Sequence, residues 1–304
     1  MKIFALNKRS ELNQINESPF KWEDEIQSLT EKNLKTIFAL DFIRTEFYLN
    51  NLRIGTLAYD SNSKAFVIIE YKNKKNMSVI DQGYAYLSLM LNNKADFILE
   101  YNEKQKNSLK RGDIDWSQSK VIFICPFFTK FQKKAINFND LPIELWEFKK
   151  YQNNIISYSQ IIAAGAQESV KTISRQNTTI QKVSKEIKVY TEEEHIRIGS
   201  DECIELYEKL KTALLNFENV ELKPKKKYMA FVGSTNIVDI LIQRGAIKMW
   251  LNLGKGELDD PKKIARDVSS VGHWGNGDYE IKLLNDNDFE YILSLIKQSY
   301  RKNK

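Results

Sequence analysis

Apolar positions recur in two stretches of this chain, separated by a polar one. Residues 1–25 are polar and mixed. From Glu25 to Leu40, Ile26, Leu29, Leu34, Ile37 and Phe38 recur at helical spacing and predict an amphipathic helix. "DFIRTEFYL" (41–49) predicts a strand, and "LRIGTLAYDSNSKAFVIIEYKNKKN" (52–76) predicts a hairpin after it. "DQGYAYLSLMLNN" predicts a helix with Tyr84, Leu87 and Leu91 on one stripe. "ADFILEYN" and "SKVIFICPFF" predict two short strands, because continuous apolar runs suit strands covered on both faces. "FTKFQKKAINF" predicts a helix and "PIELWEFKKYQNN" a last strand. The order describes an α/β domain with a mixed central sheet over residues 1–160.

Residues 161–198 change character. They are rich in Ser, Thr, Lys and Glu and predict a linker. The scattered Val170, Ile173, Ile180, Val183 and Ile187 do not sustain the heptads of a dimerising coiled segment. A second domain, 199–304, follows. It opens with a helix capped by Ser200 or Asp201, with Ile204, Tyr207, Leu210, Leu214 and Phe217 on one stripe. "YMAFVGS", then "IVDILIQ" and "AIKMWLNLG" joined at Arg244-Gly245, predict strands, the last two as a hairpin. "DDPKKIARDVSS" predicts a short helix with Asp260 as cap and Pro261 in its first turn. "DYEIKLLN" predicts a strand and "DNDFEYILSLIKQSY" a closing helix, giving a small α+β domain.

Bulk composition narrows the function classes only a little. A chain of 304 residues, 42% apolar and 28% charged, suits one or two globular domains. No apolar run approaches the ~20 residues that span a bilayer, and "MKIFALNKRSEL" does not read as a signal peptide. Cys125 and Cys203 lie far apart and read as buried thiols of a cytoplasmic protein; with two His besides, a zinc site is not expected. The net charge of +6 is spread over both halves, so no basic nucleic-acid-binding tail stands out.

The chemistry concentrates in the hairpin. With a turn at Ser61–Lys64, Asp60 faces Ala65 and Tyr59 faces Phe66, and in that register Glu70 faces Gly55. Facing residues have Cβ atoms about 4.5–5.5 Å apart, close enough for two carboxylates to share a cation. Asp60 lies about 17 Å along the strand from that point, at ~3.3 Å per residue, and belongs to the turn. Lys72 is two residues past Glu70 and on the same face. Glu70 and the Tyr71 carbonyl could give a Mg²⁺ or Mn²⁺ ion two oxygens, and a neighbouring lysine could position the attacking water. A Glu-x-Lys pair alone is common on solvated edge strands. Here it ends the apolar run "AFVIIE", where a buried charge needs a partner.

Four stretches together resemble the PD-(D/E)XK nuclease superfamily, in its RecB-like and archaeal mismatch-endonuclease branch, over roughly residues 25–160. "FVIIEYK" resembles its E-x-K strand, which implies Glu70 as metal ligand and Lys72 as catalytic lysine. "DQGYAY" resembles its Q-x-x-x-Y helix motif and implies Gln82 and Tyr86. "EKNL" resembles its first-helix acidic motif, with Glu31 able to complete the metal site. "RTEFYLNNLRIGTLAYD" resembles its E-x(n)-R-I-D-x-L-A strand, with Glu46 and the position of Gly55. The resemblance implies a DNA partner, Mg²⁺ or Mn²⁺ as cofactor and phosphodiester hydrolysis. The stretch "DDPKKIARDVSSVGHWGNGDYEIKL" is similar to a domain of unknown function found behind such nuclease-like domains. Proteins of this layout have been labelled transport proteins, for which nothing here speaks.

Gly55 stands where the pattern has aspartate, the same place that the register leaves opposite Glu70. Three readings follow: a silent site kept for binding, a substitute carboxylate from Glu31 or Glu46, or an inactive variant of an active enzyme. Lys74 and Lys75 beside the site, with Gln82, are candidate phosphate contacts or ordinary solvated groups. In the second domain, "GHWGNG" with His273 and Trp274 reads as a structural turn or a base-stacking loop. The run Lys223–Lys227 reads as a phosphate contact or a solvated loop, and Trp250 as core. Cutting both strands of a duplex would suit a two-fold homodimer. The expectation is a DNA-acting protein of nuclease type, set against a silent nucleic-acid-binding or regulatory module on the same fold.

Overall fold

The computed structural model describes residues 2–18, 23–72, 78–106, 108–138, 140–162, 169–170 and 177–304. By contacts the chain divides into two units, Met1–Val189 and Tyr190–Lys304.

In the first unit, the polar N-terminal residues form a two-stranded hairpin, Ile3–Leu6 (β1) and Leu12–Ile15 (β2), followed by the short strand Glu17–Ser18 (β3). One long helix was expected over 25–40, and two are present, Glu23–Lys32 (α1) and Leu34–Phe38 (α2). Between them the Asn33 side chain donates to the Leu29 carbonyl at 2.8 Å, a local bond that competes with helix continuation. The hairpin strands follow as Asp41–Leu49 (β4), Leu52–Asp60 (β5) and Ala65–Tyr71 (β6), then Val79–Asn92 (α3), capped by Ser78. "ADFILEYN" is not a strand. It lies in the helix Lys94–Gln105 (α4), where only Phe97 and Tyr101, one helical turn apart, are buried. Its three-residue apolar run, Phe97–Leu99, fits either period, and Leu99, which a buried strand would cover, is exposed. Lys120–Cys125 (β7), Lys130–Ala135 (α5) and Ile143–Tyr151 (β8) are as expected; Ile156–Ile161 (β9) was not foreseen.

The resulting mixed α/β sheet runs β3-β8-β7-β6-β5-β4, with β9 also paired to β8. β6, β7 and β8 are parallel to one another; β4, β5 and β6 form an antiparallel meander. Every residue of β6 is buried, since the strand is covered on both faces. Phe66 and Ile68 pack with Leu87 and Phe97, while Val67 and Ile69 pack with Ile26 and Leu34. The segment read as a linker is only partly one. Thr178–Glu186 (α6) buries Ile180 and Val183 in the first core, joined there by Val170 and Ile187. These apolar residues, scattered among polar ones, are buried in that core; Ile173 lies outside the described residues.

The second unit starts with Glu192–Ile196 (α7) and Asp201–Leu215 (α8), whose cap is Ser200. Its strands are Glu221–Pro224 (β10), Met229–Val232 (β11), Asn236–Gln243 (β12), Ala246–Leu251 (β13), Arg266–Asp267 (β14) and Tyr279–Leu283 (β15), and Phe289–Asn303 (α9) closes it. The six strands form one antiparallel sheet, ordered β10-β11-β12-β13-β15-β14. α8 and α9 bury Leu210, Leu214, Ile292 and Ile296 against Phe231, Ile240 and Met249 of the sheet. "DDPKKIARDVSS" is a turn and β14 instead of a helix. Lys263 adopts φ +53°, which ends the turn begun at Asp260. The Asp260 carboxylate accepts from Ala265 N at 2.7 Å and from the Tyr291 hydroxyl, so it does cap backbone, but of a loop.

Candidate functional site

The register of the hairpin places the site. β5 and β6 pair from Asp60–Ala65 to Thr56–Ile69, as the turn and alternation predict. Asp60 serves the turn: its carboxylate accepts from Asn62 N and Ser63 N. At the far end the ladder stops, and the Glu70 carboxylate fills the place beyond it. Glu70 Oε2 accepts from Gly55 N at 3.3 Å and from the Tyr86 hydroxyl at 3.1 Å, while Oε1 accepts from Lys72 Nζ at 2.6 Å. The carboxylate is buried and the ammonium is about one-quarter exposed. A charge-assisted bond at this depth offsets part of the desolvation cost of the two ions.

Lys72 N donates to Ile124 O on β7 at 3.0 Å. Alternation then turns the preceding carbonyl, that of Tyr71, away from β7 and towards the side where β5 has parted from β6. Tyr86, on α3, has one proton and two acceptors, Glu70 Oε2 and the Arg53 carbonyl at 3.0 Å; it accepts in turn from Gln82 Nε2 at 2.9 Å. Burial, and then the Glu70 charge, push the Tyr86 hydroxyl well above its ordinary range, so it stays a donor at neutral pH. Gln82 and Tyr86, four residues apart on one helix face, thus join Glu70 and Lys72 in one chain of bonds, Gln82 to Tyr86 and Tyr86 to Glu70.

The other two carboxylates have partners of their own. Glu31 Oε1 accepts from Thr56 Oγ1 at 2.6 Å and Gln27 Nε2 at 3.0 Å, and Thr56 lies 3.0 Å from the Tyr71 hydroxyl. Gln27 Nε2 is also 2.8 Å from the Gly55 carbonyl, so the peptide groups of Gly55 join the two networks, Glu70 on its N–H and Gln27–Glu31 on its C=O. Glu46 is nearer in register than the sequence indicates. Thr45 pairs with Thr56 and Phe47 with Ile54, which sets Glu46 opposite Gly55 on the β4 side. It adopts φ +50° and its Oε2 lies 2.9 Å from Arg53 Nε. A Cβ at position 55 would lie 3.5 Å from Glu70 Oε2, but 3.0 Å from the Ile69 carbonyl and 3.2 Å from the Tyr71 ring. Among the described residues no group of three or more His, Cys, Asp or Glu could hold a metal ion. Glu70 and the Tyr71 carbonyl therefore fall short of the donor set that Mg²⁺ or Mn²⁺ takes. Lys74 and Lys75 lie outside the described residues.

Gln27 and Thr56 escaped the sequence reading. Gln27 stands one helical turn before Glu31, and Thr56 is a fully buried polar residue in an apolar strand. Both were visible signals, but neither has meaning until α1 is laid on β5.

In the second unit, Trp250 is buried as expected. The "GHWGNG" loop is tied to the sheet through Asn276, whose N and Nδ2 donate to Asp239 Oδ2 at 2.6 and 2.9 Å. Asp239 is fully buried, and Asn236 Nδ2 donates to its Oδ1 at 3.0 Å. Burial pushes this carboxyl up to about 7 against those donors.

Comparison with known proteins fixes kinship first. The chain belongs to the same family as an uncharacterized protein of Haemophilus influenzae, to which it is 50% identical over 302 residues, covering 99% of this chain and 100% of the relative. Residues 192–303 match a domain of unknown function, DUF5655. Among solved structures, a repair endonuclease from Pyrococcus abyssi aligns at 16% identity and a TM-score of 0.25, over 43% of this chain and 49% of that one. EndoMS in apo form aligns at 14% identity and 0.26, over 44% and 60%. The chain thus spans about half the length of the first of these structures. Scores this low decide neither fold nor chemistry.

Proposed function

We propose that the first unit is a DNA-acting domain of the metal-dependent nuclease type, with a phosphodiester-hydrolysing site that lacks one carboxylate. The observation that carries this reading is the Glu70–Lys72 pair at 2.6 Å, at the end of a buried central strand, with Tyr86 and Gln82 bonded over it. A solvated edge strand would not bury such a pair or enclose it with a third and fourth polar side chain. Glu70 binds through its carboxylate, Lys72 supplies positive charge beside it, and Tyr86 fixes the carboxylate's orientation. Because Gly55 offers no oxygen beyond its backbone, the chain as it stands binds DNA without cutting it. Divalent-ion hydrolysis is expected of Gly55→Asp, whose Cβ would stand 3.5 Å from Glu70 Oε2. The setting is cytoplasmic, in keeping with two free, buried cysteines.

The test is DNA cleavage with Mn²⁺ by the chain as given, by Gly55→Asp and by Gly55→Asp with Lys72→Ala. Cleavage by Gly55→Asp alone supports the reading. If no protein cleaves while DNA binds, the module is silent for reasons beyond one residue. If none binds DNA, the reading is lost. A second reading is favoured by the register that sets Glu46 opposite Gly55: Glu46 supplies the second carboxylate once Arg53 releases it. It requires Mn²⁺-dependent cleavage by the unaltered chain that Glu46→Gln abolishes.

A further inference from the structure

Two motifs of the second unit stand unexplained by the site in the first, the run Lys223–Lys227 and the loop "GHWGNG". They are about fifty residues apart in sequence and meet in space. Lys227 Nζ lies 4.8 Å from the centroid of the Trp274 ring, and the Tyr228 hydroxyl is 3.2 Å from Asn276 Nδ2. Trp274 remains 58% exposed with the lysine in place, and Val271 beside it is exposed as well. A large aromatic left to solvent in an otherwise packed unit is the informative exception among surface residues.

The loop that presents it is built to hold still. Gly277 adopts φ +86°, and a Cβ there would come within 1.8 Å of the Leu251 carbonyl oxygen. A Cβ on Gly275 would fall 2.6 Å from the Trp250 ring, so the loop backbone lies directly on that buried indole. Asn276 is fastened to Asp239 by two donors, and the His273 ring stacks on Trp250 with 6.2 Å between centroids and 16° between planes. The backbone that carries Trp274 is therefore held in place before anything binds, with Lys227 over the ring and Lys226, also exposed, adjacent to Lys227 in the chain. Flat π-surface flanked by ammonium groups is the chemistry of a single-stranded nucleic acid contact, one base stacked on the ring and its phosphates on the lysines. Duplex DNA hides its base faces, and an acidic peptide would engage the lysines without needing the ring.

We infer that the loop Gly272–Gly277 and Lys226–Lys227 form a single-stranded nucleic acid site, with Trp274 as the stacking residue. The site stands on the second unit alone, so failure of the Gly55→Asp cleavage assay does not touch it. The test uses the full chain and a fluorescein-labelled oligo-dT, read by anisotropy, with photocrosslinking to map the contact. Trp274→Ala is expected to weaken binding roughly 10- to 100-fold and to abolish crosslinks to peptides containing residue 274, while Trp274→Phe keeps most of the affinity. Lys226→Gln with Lys227→Gln should lower the salt slope of binding by about 1.4, the share of two phosphate contacts on a single strand. Unchanged affinity in Trp274→Ala overturns the inference. So does equal competition by a blunt duplex or by polyglutamate, which would reduce the surface to a patch of charge.

Discussion

Two buried carboxylates, one in each unit, are satisfied in opposite ways. Glu70 has an ammonium at 2.6 Å with a hydroxyl and a backbone N–H behind it. Asp239 accepts from amide donors of Asn236 and Asn276, with the charge of Lys225 a lesser influence, and burial raises it to about 7. Each also depends on a glycine. At Gly55 a side chain would meet neighbours at 3.0 Å or more, whereas at Gly277 it would overlap the Leu251 carbonyl. The carboxylate held by a counter-charge lies at the open end of a strand, and the glycine there leaves a place that another residue could take. A carboxyl hydrogen-bonded to amides beneath a loop ties that loop down, and its glycine is required by the fold.

The comparison breaks most visibly at the glycines. Gly277→Ala is expected to destabilise the second unit by about 4 kcal/mol or more, since φ +86° and the overlap with Leu251 act together. Urea unfolding against Gly245→Ala, where a Cβ meets nothing within 4 Å, measures it. A loss of less than about 1 kcal/mol would show the loop to be adjustable.

The second effect is on pH. The folded-state pKa of Asp239 lies above the unfolded value, so between about pH 4 and pH 7 the folded chain holds a proton that the unfolded chain releases. The stability this group contributes is full below pH 4 and falls as pH rises through about 7, by on the order of 4 kcal/mol. Asp239→Asn should flatten that slope at little cost. Among the described residues Asn236 Oδ1 has no hydrogen-bond partner, and turning that amide over would let it accept from the new one. Urea midpoints from pH 4.5 to 8 decide this, and an equal slope in both proteins would place the titration elsewhere. The smallest effect is expected of Gly55→Ala, within about 1 kcal/mol, because the Ile69 carbonyl and Tyr71 ring need shift only slightly. A cost as large as that of Gly277→Ala would mean that position 55 is as closed to substitution as 277.

Short-range pattern made the hairpin legible: turn chemistry and alternation fix which residues face, and they put Gly55 at Glu70 without any knowledge of the rest. The same reasoning failed where length or context was missing. "ADFILEYN" is too short to separate periods, and only its place beside α3 makes it α4. Ile180 and Val183 are too sparse to signal a core helix among polar neighbours, yet both are buried. The N-terminal hairpin has little apolar patterning to read, since Leu6 and Leu12 stay exposed.

The sequence by itself determined the central apolar strand, the Glu70–Lys72 pair at its end and the glycine opposite it. All of these rest on residues within one or two turns of chain, where backbone geometry leaves few choices. Only the tertiary structure decided that Tyr86 and Gln82 close over Glu70, that Glu31 turns to Thr56 while Glu46 sits across from Gly55, and that Lys227 meets Trp274. Those meetings depend on how helices and loops settle on the sheets, which is set by packing among residues distant in sequence.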